Sequence, residues 1–146
     1  MLLINLASVF VCVVDQLLKL LVSRQSNHAN EYILSCGVFD IVFTKNTGAA
    51  FGMLKGHDLL LRIGVVMLLL VVFAFVNFLW KAPRRQRVSA ALVLGGGLSN
   101  FLDRVVRGYV VDYINLNFLR FPVFNLADVC VCVGCLLLVV FFVAET

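Results

Sequence analysis

The sequence predicts an all-α membrane protein: four transmembrane helices with a small extracytoplasmic β-like cradle. Three observations carry that expectation. Hydrophobic residues make up 62% of the 146-residue chain and charged residues only 14%, where a soluble domain has about 45–50% and about 25%. Mean hydropathy is +1.04, more apolar surface than a water-soluble fold of this length can hide. The apolar residues also fall into four runs of membrane-crossing length. One domain is expected, over residues 1–146.

The first span is placed at 2–22, about 31 Å of helix at 1.5 Å per residue. It does not read as a cleavable signal peptide. No basic residue precedes the run, no small-residue cleavage site follows it, and Asp15 and Lys19 interrupt it. The second span is 59–80, with Arg62 able to snorkel near its start and Trp80 as an interfacial anchor. The third is 88–106, with three glycines at its middle, and the fourth is 125–144. Between spans two and three, loop 81–87 carries Lys81, Arg84, Arg85 and Arg87 and no acid. Flanked by two apolar runs, this cluster fits a cytoplasmic loop under the positive-inside rule, and a nucleic-acid surface is rejected. Both termini are then expected in the cytoplasm, with segments 23–58 and 107–124 outside. The outer segment 23–58 is too long for a bare connector. Its β-forming stretch 38–44, followed by a turn signal at 45–48, predicts a small extended element on the membrane surface.

Four aspartates lie in or beside these apolar stretches: Asp15, Asp103, Asp112 and Asp128. A carboxylate at a membrane helix centre costs roughly 2.5–3.5 kcal/mol on insertion scales, so each needs a reason. Asp112 and Asp128 flank one loop and therefore share a membrane face. The loop is long enough to fold back and bring their carboxyls within hydrogen-bond reach. Two such groups cannot both ionise easily, so one can hold a proton while the other acts as base, the arrangement that activates water against an amide. The plainer reading is that each caps a helix or pairs with Arg104 or Arg107. Asp103 is i,i+4 to Arg107 and forms a polar stripe with Asn100 and Arg104, which suits an orienting role. Asp15 and Lys19 are also i,i+4 and can neutralise each other, or Lys19 can meet a lipid phosphate.

Asn125 is a good N-cap for span four, and Asp128 would favour its positive end. Cys132 and Cys135 share the helical face of Asp128, which predicts a face turned into the bundle. The run Cys130-Val131-Cys132-Val133-Gly134-Cys135 lacks a histidine or fourth thiol nearby, so the cysteines read as packing residues and no metal is expected.

Together these segments resemble the lipoprotein signal peptidases, the signal peptidase II type of bacterial aspartic membrane protease. Asp15 with Lys19 resembles D-x-x-x-K. Asn46, Gly48 and Phe51 resemble N-x-G-x-x-F. Gly95 through Arg104 resembles G-G-x-x-G-N-x-x-D-R, with Ser99 where the pattern has glycine. The 108–113 segment resembles G-x-V-x-D-[FY], and 124–128 resembles F-N-x-A-D. The resemblance implies that Asp112 and Asp128 are the catalytic pair. It implies that Asp15, Lys19, Asn46, Gly48, Phe51, Asn100, Asp103, Arg104 and Asn125 support the substrate or the pair. The implied partners are membrane lipid and a prolipoprotein cut just before its diacylglyceryl-modified cysteine. The implied state is a multi-pass monomer of the bacterial inner membrane, with no cofactor. The 112–128 stretch is short for the family, which would trim the outer loop. Ser99 should be tolerated in close helix packing. The rival from another class is a small four-span proton-coupled transporter relaying protons on one buried carboxylate, for which Asp15 is the natural candidate. A non-catalytic membrane scaffold is a third reading.

Overall fold

A computed structural model of the chain describes residues 2–26, 31–48, 63–64, 66–67, 70–71, 73–74 and 82–144. Its elements run α1 (Leu2–Gln25), β1 (Glu31–Ser35), β2 (Phe39–Asn46), α2 (Arg84–Val106), β3 (Val110–Leu116) and α3 (Leu126–Val143). The expected second span, 59–80, lies largely outside the described residues, and those described between 63 and 74 are helical. Ile4–Gln25 and Leu126–Val143 are long and apolar enough to cross a membrane.

The helices are inverted relative to a soluble bundle. On α1, the residues turned inward are Ile4, Ser8, Cys12, Asp15, Lys19 and Val22, a stripe at helical period. Leu6, Val9, Phe10, Val13, Leu17 and Leu21 face outward and are exposed. An apolar outside with polar groups within is what a lipid solvent selects.

α2 lies between its neighbours and packs on both. Gly95 meets α1 so closely that a Cβ there would lie 2.6 Å from the Ser8 carbonyl oxygen. A Cβ on Gly96 would overlap the Ala127 carbonyl at the start of α3, and one on Gly134 would lie 2.7 Å from the Ser89 carbonyl. Small residues here let the backbones touch, which is how membrane helices gain packing energy without a hydrophobic drive between them. Gly96→Ala is therefore expected to lower stability by about 1–3 kcal/mol and to cut activity as well, because it forces α3 away at the turn bearing Asp128. Gly134→Ala strains the same helix pair two turns further along and should cost stability with little loss of activity. Melting temperature and turnover measured together on both variants check this.

Helix boundaries depart from expectation at two places: α1 continues three residues past 22, to Gln25, and the third span starts early. α2 begins at Arg84, not at 88, so most of the basic cluster is helical rather than loop. Pro83 at the N-cap, with φ −51°, starts the helix, and arginine is a good helix former. At the other end α2 stops at Val106 as expected, with Arg107 as C-cap and Gly108 at φ 79° turning the chain.

The segments between the helices form one antiparallel three-stranded sheet, ordered β1-β2-β3. Of the three strands, β2 lies in the expected extended stretch 38–44, with β1 ahead of it in the same segment. β3 does not: 107–124 reads as a connecting segment, yet Val110–Leu116 pairs along β2. Val22, Phe43, Val111 and Tyr113 form a buried cluster, flanked by Ile33, Ile41 and Leu126, that seats the sheet on the bundle. Asp40 fastens the far end of the sheet, accepting from Ser35 and Asn117. These two donors, Asn117 foremost, hold its carboxyl below the ordinary range.

Candidate active site

A bulge sets the site's geometry. Ile41 pairs with Ile114 and Thr44 with Asp112, so three steps along β2 match two along β3. Without that extra residue, strand alternation would turn Asn46 to the opposite face from Asp112. With it, Asn46 Nδ2 donates to Asp112 Oδ2 at 2.8 Å. The Asn46 Oδ1 accepts from Gly48 N, closing an Asx turn after β2.

The return chain brings α3 to the same place. Phe124 bridges to Ile114, its carbonyl accepting from Tyr113 N at 3.0 Å and Ile114 N at 2.8 Å. Asn125 follows at once as the N-cap of α3 in a capping box: Asp128 N donates to Asn125 Oδ1, and Asn125 N donates to Asp128 Oδ2. The plain reading of Asp128 as a helix cap thus holds for one oxygen. Its other oxygen accepts from Asn100 Nδ2 at 2.7 Å.

Asn125 is the hub. Its Nδ2 donates to Asp112 Oδ1 at 2.7 Å and reaches Asn100 Oδ1 at 3.1 Å. The carboxylates of Asp112 and Asp128 are thus linked by hydrogen bonds through Asn125 and Asn100. Each pair of carboxylate oxygens is met by N–H donors, which leaves no carboxyl–carboxyl bond needed to hold them. Asp112 is 2% exposed and Asp128 partly open.

Behind the pair lies a second layer. Lys19 is fully buried, and its three donors match three acceptors: Asp15 at 2.8 Å, Asp103 at 3.0 Å and Asn100 Oδ1 at 2.8 Å. Arg107 pairs with Asp103, so two buried carboxylates face two cations. Asp103 Oδ2 also accepts from Val111 N, anchoring β3 beside Asp112. Arg104 donates to the Gly48 carbonyl at 3.3 Å and to the Asn100 carbonyl at 3.2 Å, tying α2 to the Asx turn. Phe51 lies outside the described residues.

Three members of this layer have no role in the sequence reading. Tyr113 OH donates to Asp15 Oδ1 and accepts from Leu126 N. Burial, reinforced by Asp15, pushes its ionisation well up, so it stays a donor. Gln16 Nε2 donates to Asp103 Oδ1 and to the Ser99 carbonyl. Ser99, read as merely tolerated, donates to Asp15 Oδ2 at 2.6 Å. The available signals were local: Gln16 sits beside Asp15 and one turn from Lys19, and Tyr113 follows Asp112. One expectation fails. Cys132 and Cys135 are exposed, because α3 packs through Ala127 and Gly134 and the Asp128 face turns off that contact line.

Burial is the largest influence on Asp112 and drives its pKa up to about 6 from 3.8, with Asp128 pushing the same way and the Asn46 and Asn125 donors opposing. Between pH 3.8 and about 6 the folded chain binds this proton more tightly than the unfolded one, so the Asp112 contribution to stability declines as pH rises through that window and is level above it. Activity that depends on this group should show a limb near pH 6. Removing the Asn46 donor disfavours the carboxylate, so Asn46→Ala should move that limb upward by about one pH unit. A kcat/KM–pH profile of both proteins checks it. A rise through the limb makes Asp112 the base, and a fall makes it the acid.

Apolar-faced helices, a sheet capping one end, and two carboxylates held by asparagines at that end, one buried and one partly open, define a membrane enzyme of the carboxylate-pair class. The family model for signal peptidase II, Peptidase_A8, matches residues 7–144, and the chain belongs to this family of bacterial inner-membrane proteases. It is similar to the lipoprotein signal peptidase of Halothermothrix orenii, 37% identical over 134 residues covering 90% of this chain and 88% of that protein. That of Bacillus pumilus is 37% identical over 138 residues, covering 91% and 86%. A solved bacterial membrane enzyme superposes with a TM-score of 0.88 at 29% identity, covering 99% of this chain and 90% of that one. The chain is thus an aspartic-type signal peptidase acting in lipoprotein processing, and the transporter reading falls.

Proposed function

We propose that this protease removes the signal peptide from diacylglyceryl-modified prolipoproteins by cutting before the lipidated cysteine, with Asp112 and Asp128 as the catalytic pair. The observation that carries the assignment is their convergence from β3 and α3 onto one asparagine, Asn125. In the ionised member, a carboxylate takes a proton from water as the water oxygen attacks the scissile carbonyl carbon. The protonated member gives its proton to the carbonyl oxygen, yielding a neutral gem-diol. Collapse of that intermediate breaks the C–N bond. The proton gained from water passes to the cysteine nitrogen, and the gem-diol returns its proton to the other carboxylate. Water is the nucleophile, so neither a nucleophilic side chain nor a metal enters any step.

Asn46, Asn100 and Asn125 keep both carboxylates aimed. Asp15, Lys19, Asp103, Gln16, Ser99 and Tyr113 hold the elements that carry them, and Arg104 with Gly48 fixes the turn beside Asp112. Four spans with both termini and the 81–87 end in the cytoplasm place this site at the outer face. There a lipidated cysteine is held by its acyl chains, and the signal helix lies alongside in the bilayer. The enzyme acts as a monomer. The test supplies purified protein with one prolipoprotein in two forms, with and without the diacylglyceryl group. Cleavage of the modified form at least a hundredfold faster is expected, and equal rates would remove lipid recognition from the proposal.

A further inference from the structure

A helix opens with backbone N–H groups that find no acceptor inside it. At the start of α3 the first four are all met by side chains. Asn125 N donates to Asp128 Oδ2 and Asp128 N to Asn125 Oδ1, both within the helix's own first turn. The other two are met from outside it. Leu126 N donates to the Tyr113 hydroxyl at 3.1 Å, and Ala127 N to Asp15 Oδ1 at 3.2 Å. Those two acceptors are bonded to each other, Tyr113 OH donating to Asp15 Oδ1 at 3.1 Å. Tyr113 also holds the residue before Asn125, its backbone N donating to the Phe124 carbonyl at 3.0 Å. It therefore grips the chain on both sides of Asn125, by its N–H before and by its hydroxyl after. It does so from the place next to Asp112 on β3, with its ring buried against Val22, Phe43 and Val111.

We propose that Tyr113 is a positioning residue for cleavage: it clamps Phe124 and Leu126, and so fixes Asn125 where that side chain can aim Asp112 and Asp128 together. The inference rests on those two aspartates being the catalytic pair. Asn125 Nδ2 lies 2.7 Å from Asp112 Oδ1, and such a bond weakens steeply with small changes of distance and angle. Loss of the hydroxyl leaves Leu126 N without its acceptor and takes one donor from Asp15. The grip after Asn125 then goes, while the backbone grip before it stays. Asn125 is freed to turn, and its amide drifts from Asp112. The Tyr113 hydroxyl is spent inside the protein on Asp15 and Leu126, so it acts through Asn125 and not on the substrate. A fault there should lower the rate of the chemical step and leave substrate affinity alone.

The full chain in detergent, as wild type, Tyr113→Phe and Gly134→Ala, is assayed for cleavage of a lipid-modified prolipoprotein across pH, with melting temperatures alongside. The motif admits phenylalanine after Asp112, so Tyr113→Phe keeps the ring in its cluster and removes only the hydroxyl. Gly134→Ala supplies a loss of stability away from the pair. For Tyr113→Phe, kcat is expected to fall about fivefold at unchanged KM, a fraction of the roughly hundredfold that 1 Å of misplacement can cost. The limb near pH 6 should also move upward, by about half a pH unit, because a loosened Asn125 donor favours the Asp112 carboxylate less. The other groups acting on Asp112 are Asn46 of β2, Lys19 of α1, Arg104 of α2 and Asp128 of α3, and the Tyr113 hydroxyl is bonded to none of them. Gly134→Ala should leave both kcat and the limb in place. An unchanged kcat in Tyr113→Phe, a loss carried by KM, a limb that stays put, or the same changes in Gly134→Ala would each overturn the clamp. The pair is judged separately: cleavage retained in Asp112→Asn or Asp128→Asn removes the pair, whereas a silent Tyr113→Phe removes only the clamp.

Discussion

Replacing Asp112 by Asn is expected to lower the cleavage rate of a lipid-modified prolipoprotein by at least a thousandfold while substrate binding persists, and Asp128→Asn should do the same. General acid–base catalysis contributes roughly 10²–10⁴ per group, and each variant removes one proton carrier from a reaction that needs two. The variants are close in shape but not silent in the fold. Both Asp112 oxygens accept from asparagine side chains, so an amide there sets one N–H against a donor. Asp128→Asn disturbs the capping box in the same way, at about 1 kcal/mol. Melting temperatures should therefore fall only slightly, and the rate loss should far exceed that change. Asp15→Asn, by contrast, should leave measurable turnover, because Asp15 supports α1, β3 and α3 from behind rather than meeting substrate.

Lys19→Met is expected to have the largest effect on stability, about 3–5 kcal/mol, with most of the protein failing to accumulate. Removing one partner of a buried ion pair strands the other, and Lys19 serves two carboxylates and Asn100 at once. The sign of the companion change is diagnostic. Asp15→Asn added to Lys19→Met removes the stranded charge, so the double variant should be more stable than Lys19→Met alone. Thermal unfolding in detergent measures both. If the second change deepened the loss, the two would be independent supports rather than a charge pair.

Much of the site was legible because its residues are costly. An aspartate in an apolar run stands out by its desolvation penalty, and Asn125 with Asp128 at a helix start follows from capping chemistry alone. The i,i+4 spacings of Asp15 with Lys19 and Asp103 with Arg107 translate directly into contacts. The sheet was only partly legible. Val110–Leu116 pairs with a strand more than sixty residues earlier, and no local pattern announces such a partner. The β2 bulge that turns Asn46 toward Asp112 is set by register, which single-strand periodicity does not report. Ser99, Gln16 and Tyr113 escaped for a different reason. Each is an ordinary residue until the elements meet: the bonds of Ser99 and Gln16 depend on which face of α2 lies against α1, and those of Tyr113 on how β3 is seated between α1 and α3. The same uncertainty of rotation misplaced Cys132 and Cys135, since Ala127 and Gly134 decide where α3 touches α2.

On the proposed mechanism Asp112 and Asp128 work as one unit. Single-turnover cleavage by the wild type, by each Asp→Asn variant and by Asp112→Asn/Asp128→Asn together tests it most directly. The double variant is expected to be slower than either single by no more than about threefold, as for groups that act jointly. Losses that multiply, or a single variant retaining more than a tenth of the wild-type rate, would contradict it.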